Sequence, residues 1–241
     1  MSWLSYGARV VGEEHLANGM GCQDRIARWS TDHPPAIALA DGMGSCPHAA
    51  HGAEAAVRAA LYSLRWWQEL PGSPVEPVIR IMSQRWLLEI HPVPKGEAKT
   101  TLLATAVAED GRILVLQLGD GAILLEAATG VSRHAAGGHQ DFANETLALG
   151  SQLTLEDWKW AVYPPGSLRG VVLASDGVAN GLDPAQYAMF IDHLRQVRRS
   201  ARDAVAAGRE LKQQLRDWPP EAAGGDDRSI ACLFQTGAHD D

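Results

Sequence analysis

The chain has 241 residues, 46% hydrophobic and 21% charged, with 21 basic against 29 acidic side chains and a formal charge of −8. These proportions suit a soluble globular chain and exclude wholesale disorder and collagen-like repeats, and the acidic balance disfavours general nucleic-acid binding. Three cysteines, Cys22, Cys46 and Cys232, with no CxxC, exclude a disulfide framework and a zinc ribbon. No uninterrupted apolar run reaches the roughly 18 residues of a membrane span. The opening Met1-Ser2-Trp3-Leu4-Ser5 lacks a basic start and a long apolar stretch, so no signal peptide and a cytoplasmic protein are expected. Proline and glycine clusters at 71–74, 91–96, 163–166 and 218–225 are too short for interdomain linkers, so a single domain over residues 1–241 is expected.

The predicted elements run as follows. Ile37 to Ala40 is a short apolar run that ends at Asp41. Ala49 to Trp67 is alanine-rich and proline-free, which predicts a helix. Val75 to Ile90 carries Val78, Ile81, Met82 and Leu88 at helical spacing and predicts a second. Strands follow: Thr100 to Ala108 and Arg112 to Leu118 flank Glu109-Asp110-Gly111, a hairpin turn. Ala122 to Glu126, Trp158 to Tyr163 and Gly170 to Ala174 are further strands. Pro184 to Arg216 predicts two helices broken near Ser200, and Ser229 to Phe234 a last strand. Strands joined by short turns, with helices in separate blocks, predict α+β architecture with antiparallel sheets.

The chemistry lies in a recurring pattern, an apolar strand that meets an Asp beside a Gly. It occurs as Ala40-Asp41-Gly42-Met43-Gly44, as Leu118-Gly119-Asp120-Gly121 and as Ala174-Ser175-Asp176-Gly177. It occurs in reverse order as Gly224-Gly225-Asp226-Asp227 before the last strand. Gln23-Asp24 adds a fifth acid before Ile26-Ala27-Arg28. A carboxylate at a strand end is aimed by the sheet, and its glycine lets the backbone turn sharply. Any single copy is ordinary turn chemistry. Several on one rim would gather repelling carboxylates that a divalent cation reconciles, and all-oxygen ligation favours Mg²⁺ or Mn²⁺ over Zn²⁺.

In order and spacing, Gln23-Asp24, Asp41-Gly42-Met43-Gly44, Thr100-Thr101-Leu102, Gly119-Asp120, Ser175-Asp176-Gly177 and Asp226-Asp227-Arg228-Ser229 together resemble the metal-dependent protein phosphatase 2C family. Within it they look most like a compact bacterial branch, in which a His (here His15) precedes a Cys-Gln-Asp element (Cys22-Gln23-Asp24) and a segment like Ala143-Asn144-Glu145-Thr146 lies before the third acidic motif. The resemblance implies a four-layer α-β-β-α sandwich, two antiparallel sheets flanked by helices, with a two-metal centre at one edge. It implies that Asp41 bridges both metals, that the Gly42 carbonyl binds one, and that Asp176 and Asp226 hold the other. Asp24 would act nearby, partly through water, and Asp120 would help hold a third, weaker ion. Asp227, in place of the family's usual Asn, would support the ligands. The implied function is a serine/threonine protein phosphatase, opposed by a Ser/Thr kinase and acting on a phosphorylated protein. A hydroxide shared by two Mn²⁺ or Mg²⁺ would attack phosphorus, with no covalent intermediate.

The pattern has departures. Asn18-Gly19-Met20-Gly21 lacks the Arg that grips phosphate in many members, and Arg9 and Arg25 are the nearest. His15 is the candidate substitute for substrate binding. After Asp41-Gly42 the usual Gly-His is replaced by Met43-Gly44-Ser45-Cys46-Pro47-His48, and Gly121-Ala122 stands where Ser-Arg is common. The alternative is therefore a catalytically weak phosphatase-like module that binds or senses a phosphoprotein. Rival chemistries are thin. Cys22 and Arg28 have the spacing of cysteine-dependent phosphatases, but the intervening loop carries Asp24 and no Gly. Cys46, His48 and His51 lack a fourth ligand for zinc. Arg195, Arg198, Arg199 and Arg202 predict a solvated basic helix face, and Trp66, Trp67 and Trp86 predict core packing.

Overall fold

The computed structural model describes residues 2–29, 34–70, 72–134, 147–218 and 224–236. The Ala143–Thr146 motif lies outside the described residues. In chain order the elements are β1 (Trp3–Val10), α1 (Glu13–Ala17), β2 (Arg25–Arg28), β3 (Ala36–Ala40), α2 (Ala49–Glu69), α3 (Val75–Ile90), β4 (Leu102–Val107) and β5 (Ile113–Leu118). There follow β6 (Ala122–Ala127), β7 (Gly130–Arg133), β8 (Lys159–Tyr163), β9 (Leu168–Ala174), α4 (Asp176–Ala179), α5 (Tyr187–Ser200), α6 (Ala204–Arg216) and β10 (Arg228–Gln235). One five-stranded sheet has the order β1-β10-β9-β6-β7 and the other β2-β3-β4-β5-β8. Every pairing is antiparallel.

Three apolar layers make this a sandwich of two sheets between helices. Ile37, Leu39, Leu103, Val115, Ile123, Val171, Leu173 and Leu233 interdigitate between the sheets. One residue along each strand the side chain points the other way, because strand side chains alternate. Ala36, Ala38, Ala40, Leu114 and Leu116 thus face α2 and α3, meeting Ala53, Ala56, Trp67, Val78 and Trp86. Tyr6, Val172, Ile230 and Cys232 face α5 and α6, meeting Ile191, Leu194, Leu211 and Leu215. Inner strands are therefore apolar on both faces, which is why they read as continuous runs rather than alternating ones. The alanines of β3 opposite an alanine-rich helix let α2 approach closely.

Trp67 and Trp86 are buried, whereas Trp66 is 36% exposed and lines a surface groove. Arg195 corrects the solvated-face expectation. Its guanidinium meets Glu126 (Nη2 to Oε2, 2.6 Å), lies over the Phe234 ring and donates to the Arg169 carbonyl, so it staples α5 to the sheet. The α5–α6 break falls after Ser200, where the Asp203 side chain caps α6 by accepting from the Ala206 N–H.

Candidate metal and substrate site

Strand register brings the acidic turns to one edge. Ala40 pairs with Arg25, and Leu118 with Leu102, so the end of β3, the start of β2 and the end of β5 share one end of their sheet. In the other sheet Ala174 pairs with both Ile230 and Ala122, which aligns the end of β9 with the starts of β10 and β6. Asp24, Asp41, Asp120, Asp176 and Asp226 occupy these ends. Asp41, Asp120, Asp176 and Asp226, with Gly42, His15, Glu14, Met20 and Thr101, line a cleft of about 340 Å³. Asp24 lies behind it, fully buried.

Each acid is held by its backbone. Thr101 Oγ1 accepts from the Asp41 N–H at 3.1 Å, and the Thr100 hydroxyl and Thr101 N–H donate to the Asp41 carbonyl, both at 2.8 Å. The Thr100-Thr101 pair thus clamps the turn at the end of β3. Ala49, at the start of α2, lies against Gly42, where an added Cβ would stand 2.7 Å from its backbone. Gly121 has φ +86° and leaves only 2.8 Å between such a Cβ and the Ala174 carbonyl oxygen. The glycine beside Asp120 is therefore required by the turn and by β9, not merely by room for an ion. One oxygen of Asp176 accepts from the Gly177 N–H at 2.7 Å, and one oxygen of Asp226 from the Asp227 N–H at 2.7 Å. These bonds orient both side chains and leave their second oxygens for the cleft. Ser175 and Ser229 join the two motifs: the Ser229 N–H donates to Ser175 Oγ at 2.9 Å and the Ser175 N–H to the Ser229 carbonyl at 3.0 Å.

Asp227 works differently. Its carboxylate accepts from the Gly12 N–H at 2.7 Å and the Gln23 N–H at 2.6 Å, and lies 3.0 Å from His15 Nδ1. It ties the loop before α1, the Asp24 loop and His15 together. His15, Asp226 and Asp227 bring three potential ligand atoms within 4.8 Å of one another, but the backbone bonds engage both Asp227 oxygens. His15 is itself buried, and its Nε2 faces toward Gly44. Arg228, buried below, bonds Glu13 of α1 (Nη2 to Oε1, 2.6 Å) and braces the helix that carries His15.

The acids raise one another. Burial pushes Asp24 up from 3.8 to about 7, helped by the Asp227 charge and opposed by nearby Ser229, Asp41 and Ser175. Asp41 is pushed well above the ordinary carboxylate range by burial and then by Asp24, Asp176 and Asp226. Asp176 rises by burial and by Asp226 and Asp120, and Asp226 rises chiefly by burial. Both Asp24 oxygens are buried with no hydrogen-bond partner among the described residues. A buried carboxylate without donors is costly unless a cation meets it. The donor set, all carboxylate with the Gly42 carbonyl at hand, fits a hard divalent cation.

The nearby arginines do not serve the cleft. Arg9 and Arg25 donate to the Asp24 carbonyl at 3.0 and 2.8 Å, and Arg25 also meets Glu54. Cys22 is no nucleophile, because burial and the charges of Asp24 and Asp227 push its thiol up to about 12. Cys46 donates to the Gly96 carbonyl, and His48 reaches only Glu97, at 3.9 Å. Among the described residues Cys46, His48 and His51 form no three-ligand cluster, and the Cys22 thiol stays protonated. Glu14 on the cleft rim and the bracing Glu13–Arg228 pair had no signal in the sequence beyond their charge.

Two antiparallel sheets between helices, with an oxygen-rich acidic cleft at their common edge, define an α+β sandwich. A protein phosphatase 2C profile matches residues 11–218, and the chain belongs to that family. Serine/threonine-protein phosphatase 3 of Escherichia coli (strain K12) is 28% identical over 162 residues, a match spanning 61% of this chain and 62% of that relative. The Mycobacterium tuberculosis serine/threonine phosphatase PstP/Ppp superposes with a TM-score of 0.61 at 16% identity, over 98% of this chain and 100% of that one. Stp1 from Staphylococcus aureus gives 0.66 at 11% identity, over 98% and 96%. A PstP catalytic domain in complex with 2 manganese ions gives 0.62 at 15% identity, over 96% and 97%. At these identities the structural likeness is one of fold. No helix among the described residues is long and apolar enough to cross a membrane.

Proposed function

We propose that this chain is a Mn²⁺- or Mg²⁺-dependent phosphatase that hydrolyses phosphoserine and phosphothreonine in a protein. The observation that carries the reading is the gathering of Asp41, Asp120, Asp176 and Asp226 from separate strand ends around one cleft, with the fully buried Asp24 carboxylate behind them. Asp41, Asp176, Asp226 and the Gly42 carbonyl would hold two cations, with Asp24 behind them and Asp120 at a weaker third. Cations at this place supply Lewis acidity that activates water and neutralises phosphoryl oxygens. The chain's own part is positioning. Backbone N–H groups lock Asp176 and Asp226, the Thr100-Thr101 clamp fixes Asp41, and no covalent nucleophile is offered by Cys22. His15, whose Nδ1 lies 3.0 Å from Asp227, would as the imidazolium offer Nε2–H to a phosphoryl oxygen in place of the missing arginine. The intact acidic set disfavours the weak binding module, which would not need to maintain such repulsion. Hydrolysis of 4-nitrophenyl phosphate and of a phosphopeptide, with Mn²⁺ and with excess chelator, tests the reading. Metal-dependent turnover of both supports it, and chelator-resistant turnover or none at all overturns it.

A further inference from the structure

We propose that the outer face of α2 is a homodimer interface, on which a second copy of this chain packs antiparallel about a two-fold axis at Trp66. The C-terminal half of α2 exposes Arg58, Tyr62, Arg65, Trp66 and Glu69, with Leu70 at its C-cap. Tyr62, Trp66 and Leu70 stand at i, i+4 and i+8, so they form one stripe along the helix. Tyr62 is 55% exposed and Leu70 42%. A helix that packs on a core by one face ordinarily turns charge to water on the other. Here Ala53, Ala56, Ala60, Leu64 and Trp67 fill the core side, and large apolar side chains occupy the water side as well. The stripe borders a groove of about 570 Å³, walled by Trp29, just after β2, and by Arg85 and Glu89 of α3. Arg65 lies over the Trp29 ring and Arg85 over the Tyr62 ring, 5.9 and 4.8 Å from the centroids, which holds these aromatic groups in place.

The charges beside the stripe point to a second copy as the occupant. In an antiparallel helix pair about a two-fold axis, residues whose numbers have a constant sum lie opposite each other. With Trp66 on the axis, Trp66 meets its own copy, and Tyr62 meets Leu70 in both directions. Arg65 and Glu69 project from the same flank of the stripe, and a two-fold in the interface brings like flanks together. Arg65 of one copy then lies two residues, or about 3 Å along the axis, from Glu69 of the other, within reach of both side chains. Each copy supplies both signs, so the two contacts are equivalent, as an isologous interface requires. Arg65 and Glu69 already pair within the helix, Nε to Oε1 at 2.8 Å, and the second copy closes two such pairs into a ring of four alternating charges. Tyrosine, tryptophan and arginine at the centre with charge at the rim is the composition of a protein contact. One helix face per copy is smaller than a standard interface of about 1,600 Å², so the association expected is reversible and micromolar. The N-terminal end of α2 abuts Gly42 at the cleft, and Trp66 lies about 25 Å further along the helix, so both clefts stay open in the dimer.

Sedimentation velocity of the full chain from about 5 to about 200 µM tests this. The expected result is a rise with concentration from the monomer mass of 25.9 kDa toward twice that value. Trp66→Ala weakens association at least about tenfold, because it empties the centre of both copies. Arg65→Glu and Glu69→Arg each weaken it at least about tenfold, because each sets like charges opposite one another twice per dimer. Mixed in equal amounts, these two variants form a heterodimer about as tight as the wild-type dimer, since two acids on one copy face two bases on the other. Mixing cannot restore the pair inside either helix, so the recovery reports a contact between copies. Thermal melts establish that all three variants fold. A wild-type chain that stays monomeric over the whole range overturns the proposal. So does a dimer whose strength none of the three variants changes. A mixture that remains as monomeric as its two components overturns the antiparallel pairing at Trp66.

Discussion

Asp24→Asn should stabilise the metal-free protein at neutral pH and not at acidic pH. The native Asp24 carboxyl is held near 7 against 3.8 for the free side chain. Below pH 4 the native and unfolded states both carry the proton, and the group costs nothing. Between about pH 4 and 7 the unfolded chain releases its proton while the native one keeps it, so stability falls as pH rises. Above 7 the native carboxylate is ionised too, and the full penalty is about 4 kcal/mol. Asparagine removes the charge but leaves a buried amide short of partners, which returns a share of the gain. A net stabilisation of about 2 kcal/mol at pH 8, or about 4–8 °C in Tm for a chain of this size, is expected in chelator. Saturating Mn²⁺ should reverse the order, because the wild type then gains more from binding the ion. Differential scanning fluorimetry at pH 5 and pH 8, with and without metal, measures all four values. A variant that is less stable than wild type in chelator at pH 8, or one whose advantage is as large at pH 5, refutes the reasoning.

The remaining predictions concern turnover. Asp41→Asn and Asp226→Asn should each lower Mn²⁺-dependent hydrolysis at least about 100-fold, because each removes an anionic ligand; unchanged turnover in both sinks the site. Asp120→Ala should abolish the high-concentration phase of the metal dependence while calorimetry still detects the tight sites, and wild-type kinetics in that variant exclude the third-ion role. Cys22→Ser should keep activity within about threefold and thiol alkylation should leave the enzyme working, since the thiol stays protonated; a large loss with metal affinity intact counts against this. His15→Ala should raise KM for 4-nitrophenyl phosphate about tenfold with a smaller change in kcat, as loss of one charge-assisted hydrogen bond implies; a fall in kcat alone would assign His15 to another step.

Much of this was legible in the sequence. The inner strands β3, β4, β5 and β9 are apolar on both faces and stand out as runs, α2 and α3 carry helical spacing, and Asp110-Gly111 marks the β4–β5 turn. The acids Asp41, Asp120, Asp176 and Asp226 announce themselves because a glycine beside an Asp at a strand end is a local signal. What lay beyond the sequence depends on partners far along the chain. β1, with its mixed Trp3-Leu4-Ser5-Tyr6 start, is a strand because it pairs with β10 more than 200 residues later. β7 is a strand because β6 pairs with it. Arg195 reads as one of a solvated basic row until Glu126, 69 residues away, takes its guanidinium. Asp227 looks like a duplicate of Asp226, yet its two oxygens accept from the Gly12 and Gln23 N–H groups and one lies 3.0 Å from His15 Nδ1, so it ties those segments together. Residue type and local spacing determined which carboxylates end strands. Antiparallel register alone decided that those ends meet at one edge, because pairing sets which end of a strand lies beside which, and no short stretch of sequence encodes its distant neighbour.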